Sequence, residues 1–164
     1  MVETLFAVAL LATSSPAPVA EKLAALEKET ASRLGVVALD TGSGQKIEYR
    51  PNERFLLCST FKFLAAAAVL KKADDGKDQL DRFVPYGPKD ILEYAPVTKE
   101  HLAEGGMRLG DLCVAALQLS DNTAGNLLLA QIGGPAGLTE FARSLGDETT
   151  RLDRTEPTLN VGAP

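Results

Sequence analysis

Between Phe55 and Leu70 the chain reads Phe-Leu-Leu-Cys-Ser-Thr-Phe-Lys-Phe-Leu-Ala-Ala-Ala-Ala-Val-Leu, an apolar run that any fold must bury. It reads as a helix, and Lys71, Lys72 and Gly76 suit its C-terminal end and cap. Two polar groups near its start, Ser59 and Lys62, need a reason. On a helix, residues three apart share a face with Cβ atoms about 5–6 Å apart, so a hydroxyl and an amine can meet there. That is a nucleophile beside a proton acceptor. The helix start adds unpaired N–H groups and a positive dipole end, which favour an oxyanion at whatever carbon the serine attacks.

Spacing alone proves little. Ordinary composition supplies roughly one such pair in a chain of this size, and Ser43-Gly44-Gln45-Lys46 repeats the spacing in a Gly-rich turn with no shared face. The pair is therefore open to a catalytic and to a merely structural reading until partners are found.

At 164 residues, with 45% hydrophobic content, the chain is expected to be one soluble globular domain with a real core. A net charge of -5 with no basic stripe argues against nucleic acid or an anionic membrane surface as partner. The run Leu5 to Ala12 is too short to span a bilayer, so no stable membrane insertion is expected. Ala17-Pro18-Val19-Ala20 follows with small residues at a spacing signal peptidases prefer, so residues 1–20 read as a signal peptide and the protein as periplasmic or secreted. Met1 to Thr4 lack the usual lysine or arginine, which weighs against that reading. Cys58 and Cys113 do not make a disulfide framework and each reads as a small core residue. His101 has no second histidine nearby and the cysteines are not in ligand spacing, so no metal site and no cofactor are expected.

The apolar spacing Val19, Leu23, Leu26, Leu34 predicts a surface helix to Leu34, supported by a Glu29–Arg33 pair and stopped by Gly35. Val36 to Leu39 reads as a buried strand, Asp40 to Gly44 as a turn, and Lys46 to Arg50 as an alternating strand. Pro85, Gly87, Pro88 and Pro96 are expected to keep residues 81–97 irregular, with Tyr94 either presented at a cleft edge or packed on its own loop. Thr98 to Glu104 reads as a short helix with a solvated His101, and Leu109 to Leu119 as a buried helix through Leu112, Cys113, Ala116 and Leu119. Ser120-Asp121-Asn122 is a polar knot before the apolar Leu127 to Ile132, and helix capping would explain it. Pro135 and Gly146 bracket one more helix. Asp147 to Asn160 has no periodicity and reads as solvated loop.

Three separated motifs stand in order: Ser59-Thr60-Phe61-Lys62, Ser120-Asp121-Asn122, and Glu156-Pro157-Thr158-Leu159-Asn160. Together they resemble a class A serine β-lactamase, over roughly residues 20–164. The resemblance implies an α/β (α+β) two-lobe fold of the serine β-lactamase and D,D-peptidase kind. Residues 21–54 would be a helix and hairpin of the sheet lobe, 55–149 the helical lobe, and 150–164 the start of the loop carrying Glu156. It implies a monomer acting on a small-molecule β-lactam, and so antibiotic resistance. Ser59 would be the acylated nucleophile and Lys62 its proton partner. Ser120 would relay a proton to the β-lactam nitrogen, and Asn122 would bind the substrate's side-chain carbonyl. Glu156 and Asn160 would position and activate the hydrolytic water, with Tyr94 the aromatic at the cleft mouth. An unshifted lysine near pKa 10.4 needs roughly 4–5 kcal/mol to lose its proton at pH 7, whereas a glutamate near 4.3 is already ionised, so Glu156 is the cheaper base.

The departures are as informative. Members of the family carry a Lys-Thr-Gly or Lys-Ser-Gly strand that binds the substrate carboxylate and supplies the second oxyanion N–H, and no such triplet occurs in this chain. An aspartate expected to pair with Arg154 is also not among these residues. The sequence therefore reads as an incomplete fold, expected to be inactive by itself. Cys58 before Ser59 resembles members of broadened spectrum, in which its disulfide partner lies in the half that these 164 residues do not include. A penicillin-binding D,D-peptidase and a non-hydrolytic β-lactam sensor share the serine and lysine; Glu156 and Asn160 at this spacing favour the hydrolase.

Overall fold

The computed structural model describes residues 17–161, and the apolar run read as a leader, residues 5–12, lies outside them. Two compact units emerge, one ending at Phe55 and the other beginning at Leu56.

The first unit holds helix α1 (Ala17–Thr30) and strands β1 (Val36–Leu39) and β2 (Lys46–Tyr49), paired antiparallel from Val36↔Tyr49 to Leu39↔Lys46. Asp40 builds the turn between them. Its Oδ1 accepts the Gly42 N–H at 2.8 Å and its Oδ2 accepts the Ser43 hydroxyl at 2.6 Å, so Ser43 is consumed locally, as its Gly-rich setting predicts. Two expectations fail in this unit. The helix stops at Thr30 because Ala31 takes a left-handed φ of 49°, which places Arg33 beyond the helix and out of step with Glu29. Arg33 instead lies over the Phe55 ring at 4.4 Å and near Glu53 at 3.7 Å. Glu27 does the tying: its carboxylate accepts Leu34 N–H at 2.6 Å, the Tyr49 hydroxyl at 2.7 Å and Arg50 at 2.9 Å. β1 forms, yet Val37 and Leu39 are 61% and 51% exposed, because this sheet has only two strands among the described residues.

The second unit packs α2 (Phe61–Asp74), α3 (Leu109–Gln118), α4 (Asn122–Gln131) and α5 (Gly134–Ser144) around one core, with a short antiparallel pair of β3 (Phe83–Pro85) and β4 (Gly106–Arg108). α2 is the central helix. Phe61, Ala65, Ala66 and Val69 are buried on it in one cluster with Leu109, Leu112 and Ala116 of α3, Leu128 and Leu129 of α4 and Leu138 of α5, and Ala68 is buried as well. Its alanines let neighbours approach closely, and Phe61, fully buried, contributes about 2–3 kcal/mol by area. At its far end Gly76, φ 69°, donates its N–H to Ala73 O at 3.0 Å, the predicted cap.

The regular helix begins later than the apolar run. Cys58 has a left-handed φ of 44°, so the chain enters through a 3-10 turn over Cys58–Thr60, and Phe55 to Leu57 are not helical. Cys58 is exposed rather than core, since that turn points it outward, whereas Cys113 is buried as expected. Residues 81–97 contain β3 despite their prolines: Pro85 sits at the strand's end, opposite Gly106. The stretch 98–104 is helical only as a 3-10 turn over Leu102–Glu104, where His101 Nδ1 lies 2.8 Å from Glu104. Leu119 is half exposed because α3 ends before it. The segment after Gly146 is irregular, yet Leu152, Glu156 and Leu159 are buried, so it is not simply solvated.

Candidate active site

The site is built where the start of α2 meets the start of α4 and the loop after α5. Lys62, in the first turn of α2, is 1% exposed and points into a ring of oxygen atoms. Its Nζ lies 3.2 Å from Ser59 Oγ, 2.8 Å from Ser120 O, 3.1 Å from Ser120 Oγ, 2.6 Å from Asn122 Oδ1 and 3.3 Å from Glu156 Oε1. Residues from three distant parts of the chain thus converge on one amine.

Each arrives by a local device. Ser59 sits in the 3-10 turn just before α2, and its side chain is exposed while that of its lysine neighbour is not. Asp121, fully buried, is the N-cap of α4, accepting Ala124 N–H at 2.8 Å. The same carboxylate takes the backbone N–H of Val97 at 3.0 Å and of Thr98 at 2.9 Å, fastening the 94–98 loop. Capping thus explains the middle residue of the polar knot and leaves its two neighbours for the amine. Ser120 is left-handed at φ 54°, a conformation costing a non-glycine residue about 1–3 kcal/mol; here it turns both the carbonyl and the hydroxyl towards Lys62.

Glu156 is 3% exposed. Its Oε2 accepts Asn160 Nδ2 at 2.6 Å, while Oε1 approaches Lys62 as an ion pair by distance without accepting an aligned hydrogen bond. The Glu156–Pro157 peptide is cis. Asn126, which no motif flags, grips the backbone of Glu156: its Oδ1 accepts Glu156 N–H at 2.9 Å and its Nδ2 donates to Glu156 O at 3.0 Å. Its place one helical turn beyond Asn122 on α4 is the only signal the sequence carries. Tyr94 joins through its backbone, its carbonyl accepting Asn122 N–H at 3.0 Å, and its side chain stands 55% exposed.

Burial pushes the Lys62 amine below its ordinary value of 10.5, and the attraction of Glu156, then Asp121, pulls the other way. A hydroxyl, an amine of lowered basicity and a buried carboxylate in contact can pass a proton along a short path. Among the described residues no group of three or more His, Cys, Asp or Glu side chains is placed to hold a metal ion.

Known proteins resemble this chain in sequence and in fold. A family model described as the β-lactamase enzyme family matches residues 18–163. The chain belongs to the β-lactamase enzyme family. Among relatives, β-lactamase Toho-2 of Escherichia coli is 53% identical over 146 residues, which cover 89% of this chain and 50% of the relative. A β-lactamase of Kitasatospora aureofaciens is 52% identical over 159 residues, 93% of this chain and 51% of its own. Among solved structures, an ancestral class A β-lactamase superposes with a TM-score of 0.86 at 57% identity, covering 89% of this chain and 56% of that one. A β-lactamase from Burkholderia vietnamiensis gives 0.87 at 49% identity, covering 90% and 55%. This β-lactamase homologue is therefore of class A and carries part of that fold, spanning about half the length of the curated relatives it matches. No described helix is long and apolar enough to cross a membrane.

Proposed function

We propose that this sequence serves the hydrolysis of β-lactam amides, of the penicillin and cephalosporin type, through an acyl-enzyme on Ser59. In acylation Ser59 Oγ attacks the lactam carbonyl carbon and the C–N bond breaks. The serine proton passes to Lys62 or to Glu156, and the Ser120 hydroxyl delivers a proton to the departing nitrogen. In deacylation Glu156, with Asn160, takes a proton from water, the hydroxide attacks the ester carbon, and the C–O bond to Ser59 breaks as that proton returns, through Lys62, to Ser59 Oγ. Asn122 holds the substrate's side-chain carbonyl and Tyr94 flanks the mouth. The observation that carries this reading is that one buried amine lies 3.2 Å from Ser59 Oγ and 3.3 Å from the Glu156 carboxylate. Nucleophile and general base thus share a neighbour.

Residues 1–164 do not include the Lys-Thr-Gly or Lys-Ser-Gly triplet. One missing oxyanion donor costs about 10²–10³ in rate, so these residues by themselves are inferred to give no steady turnover. We infer export to the periplasm or medium as well, which N-terminal sequencing of the mature protein tests.

Mass spectrometry after adding benzylpenicillin is the experiment. A transient adduct on Ser59, lost in Ser59→Ala, supports the hydrolase. A persistent adduct favours a D,D-peptidase or a sensor, and no adduct rejects acylation of Ser59 by residues 1–164. Steady nitrocefin hydrolysis by residues 1–164, abolished in Ser59→Ala, overturns the inference about turnover.

A further inference from the structure

α4 presents three residues in succession towards the site. Asn122 reaches the Lys62 amine, Asn126 grips the Glu156 backbone, and between them lies Gly125, buried in the interior of the helix. Glycine weakens a helix interior relative to alanine, and Gly125 has no need of an unusual backbone, since it is not among the positive-φ residues. Its reason must be space. A Cβ at Gly125 would stand 2.8 Å from Lys62 Cε, 3.2 Å from Lys62 Cγ and 3.1 Å from Phe61 Cζ, all inside ordinary carbon contact distance. Lys62 has nowhere to retreat: its side chain is 2% exposed and its amine is held by oxygens on several sides. Phe61 is fully buried and cannot give way cheaply.

We propose that Gly125 is a positioning residue for Lys62: the missing Cβ lets α4 press against the lysine stem and so sets where the amine stands between Ser59 and Glu156. That this placement serves acyl transfer rests on the proposed function. The packing does not, and neither of the measurements below needs a β-lactam.

The first is a double-mutant cycle in thermal unfolding of the 164-residue protein. Helix propensity alone predicts that Gly125→Ala raises Tm. Contact with the lysine stem predicts that it lowers Tm, by about 3 °C or more, and that the loss is clearly smaller in the Lys62→Ala background, where Cγ and Cε are gone and the Phe61 contact alone remains. The second is ¹³C NMR titration of the Lys62 Cε, which a merely structural role would not move. The midpoint in Gly125→Ala is expected to differ from the parent by about half a pH unit or more. An equal change in Tm by Gly125→Ala in both backgrounds, whichever its sign, or an unmoved midpoint, overturns the proposal. A protein that shows both effects yet forms no adduct with benzylpenicillin retains the positioning role and loses the proposed function.

Discussion

The side chain of Asn126 and the peptide group of Glu156 hold each other at both ends, through Glu156 N–H to Asn126 Oδ1 at 2.9 Å and Asn126 Nδ2 to Glu156 O at 3.0 Å. One amide thus stands in for a strand partner and fixes an otherwise irregular segment to α4. Asn126→Ala removes both bonds and leaves a half-buried N–H and C=O unpaired. A loss of about 1–3 kcal/mol in urea unfolding is expected, together with a longer-lived penicillin adduct, because Glu156 is no longer held over the site. Asn126→Asp should retain one bond and fall between the two. Unchanged stability in Asn126→Ala would mean that the segment is held by its other contacts, among them buried Leu152 and Leu159 and the Leu152 N–H to Thr139 Oγ1 bond.

Asp121 accepts three backbone N–H groups with no exposure to water. In Asp121→Asn the amide NH₂ must face at least one of those donors whichever way it turns. The expected cost is about 3 kcal/mol, with faster amide exchange at Val97 and Thr98 and at Ala124. Exchange confined to one of those two regions would show that the loop and the helix start are not fastened by a common group.

The pH dependence of the lysine carries a sign. Burial sets the folded-state value of Lys62 below the 10.5 of the free side chain, so the native protein gives up this proton before the unfolded chain does. The destabilising effect of burying the charge is therefore full at neutral pH and is relieved as pH rises through the folded value towards 10.5. The stability difference between the parent and Lys62→Met is expected to shift in the parent's favour over that window. The rate of Ser59 adduct formation should climb along a limb centred below 10.5 that Lys62→Met abolishes. A limb at or above the free-lysine value would contradict this.

The two thiols should separate cleanly. Cys58 is exposed, whereas Cys113 is buried and its thiol is pushed up to about 11 by desolvation. With Ellman's reagent at pH 8, one equivalent per native chain is expected to react promptly and a second only in denaturant. Cys58→Ser removes the prompt phase. Two prompt equivalents would place Cys113 outside the core.

Local spacing discloses much of the site. Ser59 and Lys62 are three residues apart at the start of an apolar helix, Ser120 and Asn122 share one short motif and Glu156 and Asn160 another, and it is the three motifs in order, through their resemblance to class A β-lactamases, that mark those groups. What stays hidden lies in partners far along the chain and in backbone shape. Asn126 bonds to a peptide group thirty residues away, which no residue type announces. The left-handed turns at Cys58 and Ser120 fall on residues with no glycine to advertise them. β3 and β4 are three residues each and hold together only as a pair, so neither shows a period. The exposure of Val37 and Leu39 is not legible either, because an apolar strand looks buried wherever it is. The Glu29–Arg33 pair fails for a related reason, since spacing assumes a helix that the backbone has already left.

The five oxygen atoms around Lys62 Nζ outnumber the protons that it can offer. An ammonium has three N–H bonds and a neutral amine two, so at any instant at least two of those oxygens go without. Four of the five stand at hydrogen-bonding geometry and the fifth, Glu156 Oε1, approaches without an aligned bond, so the amine has more acceptors in place than protons to give them. An incoming group that claims Ser59 Oγ, or a proton that leaves for Glu156, displaces only a shared bond, for which another acceptor is already waiting. The cluster is redundant in its wiring, and that redundancy lets a buried charge change partners without rearrangement of the helices that hold it.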